Sequence, residues 1–296
     1  MWDELLQNIK QGDFKALARS ISLVENGVPG YEKFLQALPS RNTAIIGITG
    51  PPGAGKSTLT DALVEAYVND GKKVGIICVD PSSPFNLGAL LGDRIRMSDW
   101  YNHAAVFIRS LASRGAMGGL HPKIIEVTDV MKAAGFDVII IETVGVGQSE
   151  IEIAGLADTT VVVLVPEAGD EVQTMKSGLM EIADIFVVNK ADRPGADTFV
   201  NNLRQMLAPA FATHTGEIPV LKTIASQKEG IAELKRKIEA HSTGKNKERH
   251  SWLLAEKAYQ LLRNKRMSDI KKATLKLEIE KEGTAFNLYR FVEKFR

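Results

Sequence analysis

The feature that most constrains this chain is a glycine-rich octapeptide near residue 50. It reads Gly50-Pro51-Pro52-Gly53-Ala54-Gly55-Lys56-Ser57, a G-x-x-x-x-G-K-S pattern that follows an apolar run and opens an amphipathic stretch. Small residues let a backbone wrap closely around a polyphosphate, and the N-terminus of the next helix adds the positive end of its dipole. The pattern predicts a loop that binds a nucleoside triphosphate, with Lys56 at its β- and γ-phosphates and the Ser57 hydroxyl on Mg²⁺. The phosphate-binding candidates are Gly53, Ala54, Gly55, Lys56, Ser57 and Thr58.

A second motif, Asn189-Lys190-Ala191-Asp192, follows a late apolar run and predicts that the base is guanine. The Asp192 carboxylate can accept hydrogen bonds from N1–H and the 2-amino group of guanine, which adenine lacks, and we expect it to act as a buried charge. The Asn189 amide can bond the other edge of the base, and the stem of Lys190 can cover its face. Ala225 and Ser226, after the last predicted strand, are weaker candidates to close the base pocket.

Three acidic residues are candidates for a Mg²⁺ site. Glu142 and Asp80 each end an apolar run, and Asp93 lies in a glycine-rich stretch. Glu142 begins an E-x-x-G pattern, which also brings the amide of Gly145 toward the γ-phosphate. Mg²⁺ takes about six oxygen ligands and keeps several waters, so we expect a mixture of direct and water-mediated contacts. Catalysis is assigned to Asp93 and Glu142 together with Lys56.

Short β-branched runs alternate with amphipathic stretches from about residue 43 to residue 240, which predicts βαβ units in a three-layer α/β/α domain with a mainly parallel sheet. The predicted strands are Thr43–Thr49, Val74–Val79, Ala105–Ile108, Val138–Thr143, Thr160–Val165, Ile185–Asn189 and Val220–Thr223. The predicted helices are Lys56–Asp70, Lys123–Ala134, Thr174–Ile182, Asp197–Leu207 and Ile231–His241.

Helical patterns flank this domain on both sides. Residues 1–40 read as a helical N-terminal extension with Asp13 as an N-cap, residues 41–241 as the nucleotide-binding domain, and residues 242–296 as a helical C-terminal arm. The segment 241–296 holds 14 Lys and Arg against 7 Asp and Glu, although the net charge of the chain is only +1. This imbalance is far from a nucleic-acid signature. Trp252, Leu253, Tyr259 and Leu262 follow helical spacing, a stripe typical of core or a subunit contact.

Composition and sequence patterns exclude several classes of protein. The chain of 296 residues is 44% hydrophobic and 25% charged, too apolar and too evenly charged for a disordered protein. The single cysteine, Cys78, excludes a disulfide framework within one chain. The apolar runs of the chain are far shorter than the ~20 residues of a membrane helix. Residues 1–6 do not resemble a secretory signal. We expect a soluble cytoplasmic protein that binds neither membrane nor nucleic acid.

Four segments together resemble a known family. Residues 47–57 (GITGPPGAGKS), 79–84 (VDPSSP), 142–150 (ETVGVGQSE) and 189–192 (NKAD) look like the MeaB/ArgK-type P-loop GTPases, and the resemblance extends over nearly the whole chain. These are methylmalonyl-CoA mutase-associated GTPases that act as chaperones for adenosylcobalamin-dependent mutases. The resemblance implies a homodimer built by the C-terminal extension, and a GTP state relayed to the mutase through switch loops.

The resemblance also assigns roles to individual residues. Carried over by position, Asp80, Asp93 and Glu142 match the acids linked to Mg²⁺, and Ser57 matches the hydroxyl ligand. Residues 166–176 match the loop that signals to the mutase. The polar contacts implied for that loop are Asp170, Gln173 and Lys176.

Slow intrinsic hydrolysis is expected, because no residue is a clear water-orienting group and the spacing of Gln148 does not establish that role. We expect a mutase to accelerate it by ordering the loops that contain Asp93, Arg94, Arg96 and Lys176.

Three other functions stay open. A nickel or zinc metallochaperone GTPase usually displays Cys or His ligands, which here are dispersed, although a site across a dimer interface would need fewer from each chain. An ATP-dependent kinase linked to amino-acid transport is disfavoured by the guanine motif. An adaptor that binds nucleotide without hydrolysing it needs only the binding residues. The sequence does not identify which acyl-CoA mutase is the client.

Overall fold

The structure, a computed structural model, describes most of the chain: residues 1–80, 97–112, 120–143, 152–168, 178–211, 218–243, 247–267, 269–270, 272–282 and 286–295. These residues form two compact units, Met1–His250 and Ser251–Arg296. Within the described ranges, no helix is both long and apolar enough to cross a membrane.

A parallel sheet of seven strands forms the centre of the first unit, with spatial order β3-β2-β4-β1-β5-β6-β7. Every neighbouring pair is parallel, which confirms the predicted α/β class. Because the strands are parallel, the loops that follow them all leave from one edge of the sheet. The strands are β1 Ala44–Thr49, β2 Val74–Asp80, β3 Val106–Ala112, β4 Val138–Thr143, β5 Thr159–Leu164, β6 Ile185–Val188 and β7 Val220–Lys222.

Helices cover both faces of the sheet. Alternate residues of a strand point to opposite faces, so Ile45 and Ile139 pack with the N-terminal helices, whereas Ile46 and Ile140 pack with the helices that follow β1 and β7. The result is the predicted three-layer domain. Its helices are α1 Trp2–Lys10, α2 Phe14–Glu25, α3 Tyr31–Gln36, α4 Lys56–Asn69, α5 Ile124–Ala133, α6 Gly178–Ile182, α7 Ala196–Phe211 and α8 Ile231–Thr243.

Strand β3 is longer than the sequence predicted. The prediction ended it at Ile108, whereas the strand continues to Ala112. Arg109 is a poor signal for a strand, but its guanidinium donates hydrogen bonds to Ser22 and Glu25 of α2. A charge with such partners is tolerated under a packed helix, so the ladder with β2 runs on past Arg109.

The helical N-terminal segment contains the predicted break between its first two helices. The Asp13 carboxylate accepts hydrogen bonds from the backbone N–H groups of Lys15 and Ala16, at 2.7 and 3.2 Å, which confirms it as the N-cap of α2. Helices α1 and α2 bury an apolar stripe in the same core as β4 and α5. Its fully buried members are Ile9, Leu17, Ile21 and Val24.

The C-terminal unit is helical. Its helices are α9 Lys247–Arg266, whose first residues belong to the first unit, α10 Lys272–Glu282 and α11 Leu288–Val292. Phe291 is buried and contacts the rings of Phe286 and Phe295, with ring centroids 5.6 and 5.3 Å apart. This aromatic cluster gives the unit a small core of its own.

Candidate nucleotide site

The glycine-rich loop lies between β1 and α4, at the carboxyl edge of the sheet, and its backbone depends on glycine. Gly50, Gly53 and Gly55 have φ values of 138°, 76° and 86°, a region that L side chains rarely adopt. At Gly50, a Cβ atom would also lie 2.1 Å from the carbonyl oxygen of Val163. The chain can therefore take this path, tight against β5, only with glycine at this position.

Helix α4 begins directly at the end of this loop. Its N-cap is Gly55, which has no side chain to accept hydrogen bonds from the first N–H groups of the helix. Lys56, Ser57 and Thr58 form the first turn. The amides of this turn and the positive end of the helix dipole are therefore available to an anion, which is the arrangement that a phosphate needs.

Lys56 is buried and folds back along the loop. Its ammonium donates hydrogen bonds to the carbonyl oxygens of Gly50 and Pro51, at 2.8 and 2.9 Å. A full positive charge thus lies against the backbone that the sequence predicts to surround the phosphates. Contact between Lys56 and the phosphates themselves stays a prediction.

Two candidate Mg²⁺ ligands meet next to the loop. The Ser57 hydroxyl donates a 2.6 Å hydrogen bond to Oε1 of Glu142, which is buried near the end of β4. β4 pairs with β1, with Ile48 opposite Glu142, so the sheet register brings the acid to the start of α4. A hydroxyl and a carboxylate are the hard oxygen donors that Mg²⁺ prefers, and this pair fits that metal.

The base motif is joined to the glycine-rich loop through Asn189. Its amide N–H₂ donates to the carbonyl oxygen of Ala54 at 2.9 Å, and its amide oxygen accepts from the Thr223 hydroxyl and the Ala225 N–H, both at 3.1 Å. The contact with the loop is close: a Cβ at Gly55 would lie 2.4 Å from Nδ2 of Asn189. Three segments far apart in the chain are therefore held together by one buried side chain.

Lys190 makes a second connection between the two motifs. It adopts a left-handed backbone conformation with φ of 56°, and its ammonium donates a 2.8 Å hydrogen bond to the carbonyl oxygen of Gly53. A non-glycine residue in this conformation is uncommon, and the Lys190–Gly53 contact helps to hold it. The predicted base-binding and phosphate-binding residues thus form one continuous site.

Asp192 and Ser226 follow site residues Lys190 and Ala225 closely in the chain. Both side chains are exposed, as is that of Thr58. The predicted role of the Asp192 carboxylate as a buried charge against guanine therefore stays a prediction. A bound purine would have to cover this carboxylate for the predicted discrimination to operate.

A family model describes the same chain. The model of the methylmalonyl Co-A mutase-associated GTPase MeaB matches residues 17–276. This chain belongs to the MeaB family. The match spans the nucleotide site, all seven strands of the sheet, the whole of α9 and the start of α10.

Individual relatives agree with this assignment. A provisionally named GTPase of Pyrococcus abyssi is 50% identical over 246 residues, which cover 81% of this MeaB-family chain and 76% of the relative. A protein named fused isobutyryl-CoA mutase, from Geobacillus kaustophilus, is 38% identical over 237 residues; these cover 75% of this chain but only 22% of that longer one. A solved structure titled LAO/AO transport system kinase matches with a TM-score of 0.68 and 27% identity, covering 99% of this chain and 96% of that one.

Several predicted residues of the MeaB-family site lie outside the described residues. The backbone of Asp80 is described, and β2 places it on the same edge of the sheet as Glu142. The others fall in the undescribed ranges 81–96, 144–151 and 169–177, and their assignments stay predictions. They are Asp93, Arg94, Arg96, Gly145, Gln148, Asp170, Gln173 and Lys176.

Sequence reasoning missed two contacts next to this site. The Thr143 hydroxyl donates to the Thr49 hydroxyl at 2.9 Å, which joins the ends of β4 and β1 beneath the loop. Arg193, directly after the base motif, forms an ion pair with Glu167, which follows β5. A threonine at the end of a strand or a charged residue in a loop carries no distinctive sequence signal.

Cys and His ligands for a transition metal do not come together in the described part of the chain. There, no group of three or more His, Cys, Asp or Glu side chains is placed to hold a metal ion. Cys78 is buried in β2.

Proposed function

We propose that this MeaB-family protein binds and hydrolyses GTP as the chaperone of an adenosylcobalamin-dependent acyl-CoA mutase. The observation that carries the proposal is the direct joining of the phosphate loop to the guanine motif by Asn189 and Lys190. This arrangement ties recognition of the base to the loop that surrounds the phosphates. The resemblance supplies the link to a mutase.

The phosphate loop and the guanine motif would each bind a different part of GTP. The backbone of Gly53–Ser57 and the first turn of α4 would hold the phosphates, and Lys56 would neutralise part of their charge. Asp192 would accept hydrogen bonds from the N1–H and 2-amino groups of guanine, while Asn189, whose amide already bonds Ala54 and Ala225, would position the base loop. Adenine would leave the Asp192 carboxylate unpaired, which disfavours it.

Hydrolysis needs positioning and charge neutralisation more than covalent chemistry. Ser57 and Glu142 would hold Mg²⁺, together with Asp80 and Asp93, and the bound ion supplies positive charge to the phosphate oxygens. Lys56 supplies a second positive charge from the loop side. With no water-orienting residue assigned, we propose that intrinsic hydrolysis is slow and that the mutase accelerates it.

The proposed partner is supported by the relative in which a homologous segment is part of a larger chain named as an isobutyryl-CoA mutase. A segment fused to an enzyme in one protein often has a separate counterpart that binds the same enzyme in another. Residues 242–296 are proposed to form a homodimer.

Base preference is the most direct test of the binding proposal. Isothermal titration calorimetry with Mg²⁺ and GTP, ATP or xanthosine triphosphate would be run on the wild type and on Asp192→Asn. We expect the wild type to prefer GTP, and the variant to lose GTP affinity and gain xanthosine triphosphate, whose 2-oxo group suits an amide donor. Asp197→Asn is the matched control, because it removes an exposed carboxylate from the start of α7. Equal affinity for ATP and GTP, or an unchanged preference in Asp192→Asn, would overturn the proposal.

The partner proposal is tested by single-turnover GTP hydrolysis with and without an acyl-CoA mutase captured from the source cell. We expect slow turnover by the protein alone, acceleration by the mutase, and loss of nucleotide binding or turnover in Lys56→Ala. Fast hydrolysis that is indifferent to every acyl-CoA mutase tested would contradict a partner-controlled GTPase.

A further inference from the structure

The backbone ladder between strands β1 and β4 ends beside the candidate Mg²⁺ ligands. Its last pair is Ile48 opposite Glu142. β1 then ends at Thr49, directly before the phosphate loop, and β4 ends at Thr143, directly after the acid. The position of Glu142 relative to the phosphate loop therefore depends on how these two strand ends are held together.

Two buried hydroxyl groups join the strand ends where the backbone ladder stops. The Thr143 hydroxyl donates a hydrogen bond to the Thr49 hydroxyl at 2.9 Å, and both side chains are fully buried. At this level the backbone of each strand is paired on its other side. Thr49 lies opposite Val162 of β5, and Thr143 lies opposite Val79 of β2. The hydroxyl bond thus connects two strand ends whose backbones pair with different strands.

The two threonines and the candidate Mg²⁺ ligands lie on opposite faces of the sheet. Ile48 packs in the core that contains α4, and Glu142, opposite Ile48, accepts the hydrogen bond from Ser57 of that helix. Because successive side chains of a strand alternate between faces, Thr49 and Thr143 point to the other face. An effect of the threonines on the metal ligands therefore passes through the backbone.

We propose that Thr49 and Thr143 are positioning residues, whose hydroxyl bond holds Glu142 in place beside the phosphate loop and so supports Mg²⁺ binding. The proposal rests on the proposed function, because it uses Ser57 and Glu142 as ligands of the Mg²⁺ that accompanies the nucleotide. Neither the motifs nor the resemblance assigned a role to either threonine.

Mg²⁺ is sensitive to the placement of its ligands, because it demands near-ideal octahedral geometry at short metal–oxygen distances. Loss of a group that contacts and orients a metal ligand typically costs about 10–100-fold in metal affinity. The threonines act on Glu142 through the backbone, so we expect a smaller change of at least about threefold. Valine has nearly the shape of threonine but no hydroxyl, whereas serine keeps the hydroxyl. These two substitutions therefore separate the hydrogen bond from the packing.

Calorimetry of GDP binding by the full-length chain, with saturating Mg²⁺ and with EDTA, tests the proposal. The dissociation constant in EDTA divided by that in Mg²⁺ gives the Mg²⁺ enhancement of binding. We expect Thr49→Val and Thr143→Val each to reduce this enhancement at least about threefold. Thr49→Ser and Thr143→Ser should keep it within about threefold of the wild type.

The double variant Thr49→Val with Thr143→Val guards the test against a simple loss of stability. It removes both hydroxyl groups together, so neither is left buried without its partner, and the fold should be more stable than in either single variant. The Mg²⁺ enhancement should still be reduced, because two methyl groups in contact stay farther apart than two hydrogen-bonded oxygens. Chemical denaturation measures the stability of each variant.

Thr43→Val is the matched control. Thr43 is buried, and its hydroxyl donates to the carbonyl oxygen of Phe136 at 3.0 Å, which joins the segments that lead into β1 and β4 at the opposite edge of the sheet. This variant should lose stability but keep the wild-type Mg²⁺ enhancement. The proposal is overturned if the valine variants of Thr49 and Thr143 keep that enhancement, if the serine variants lose it equally, or if Thr43→Val reduces it as much.

The wild type separates this proposal from the proposed function. A wild type that binds no GDP, or binds it equally well with Mg²⁺ and with EDTA, overturns the proposed function and the threonine proposal with it. A clear Mg²⁺ enhancement in the wild type that Thr143→Val and the double variant retain is a failure of the threonine proposal alone.

Discussion

The two helical flanks of this protein resemble each other in sequence but differ in burial. Helices α1 and α2 bury their apolar stripe against the sheet domain, and Leu17 and Ile21 are fully buried. On α9 most of the corresponding stripe is exposed: Trp252, Tyr259 and Leu262 have exposed fractions of 59%, 63% and 56%, whereas Leu253 is buried. An amphipathic pattern therefore predicts a helix in both flanks, but it does not say what covers the apolar face.

The difference in burial indicates different roles for the two helical flanks. The N-terminal helices belong to the core of the domain, where polar contacts such as Arg109–Glu25 and Asp13 with the α2 amides support the packing. Large exposed apolar side chains grouped on one helix are typical of a binding surface. The exposed face of α9 is therefore the surface on which the proposed homodimer can be tested.

The largest expected effect is on stability at the N-terminal flank. Ile21→Ala should lower the free energy of unfolding by about 2–5 kcal/mol, because it leaves a cavity in a packed core. Leu262→Ala removes a comparable side chain from an exposed position and should change it by less than about 0.5 kcal/mol. Chemical denaturation followed by circular dichroism measures both. Equal losses would remove the distinction between the flanks.

An intermediate effect is expected on association. If the α9 stripe forms the homodimer, Trp252→Glu should raise the dimer dissociation constant by at least about tenfold, because large aromatic residues often dominate interface energies. Asn264→Glu adds the same charge at another exposed position on α9 and serves as the control. Analytical ultracentrifugation provides the measurement. A wild type that stays monomeric at every concentration, or a Trp252→Glu variant that associates normally, would break the comparison.

The smallest expected effect concerns the helix caps of the two flanks. Asp13→Ala removes an acceptor for two N–H groups of α2 and should cost about 1 kcal/mol. Asn287→Ala removes an acceptor for one N–H group of the five-residue helix α11 and should cost less, a few tenths of a kcal/mol. Denaturation curves of both variants, with Asp13→Asn as the conservative control, check the order. A larger loss in Asn287→Ala would reverse it.

Much of the fold could be predicted because its signals are local. The apolar runs and the amphipathic stretches between them gave the parallel α/β class, and Asp13 gave the start of α2. The extension of β3 could not be predicted, since it depends on Glu25 and Ser22, more than 80 residues away in sequence, which accept hydrogen bonds from Arg109. Long-range partners of a charge leave no trace in the local pattern.

The residues of the site also divide into those that a local motif predicts and those that it does not. Gly50–Ser57 and Asn189–Asp192 are recognisable because phosphate and guanine impose a fixed spacing, and the structure brings them together. The residues that surround the base motif carry no such signal: Thr223 supports Asn189, and Arg193 contacts Glu167. The exposure of Asp192 also could not be read from the motif, because the motif specifies residue types that suit guanine and not how far other parts of the chain cover each side chain.

The amide of Asn189 limits this position by polarity more than by size. Its nitrogen faces a carbonyl oxygen of Ala54, while its oxygen faces donors from Thr223 and Ala225. Aspartate has almost the same shape, yet its second oxygen would stand against the Ala54 carbonyl and repel it. Leucine would fill a similar volume and satisfy neither side. Only a side chain that donates a hydrogen bond on one edge and accepts on the other can hold these two distant loops together.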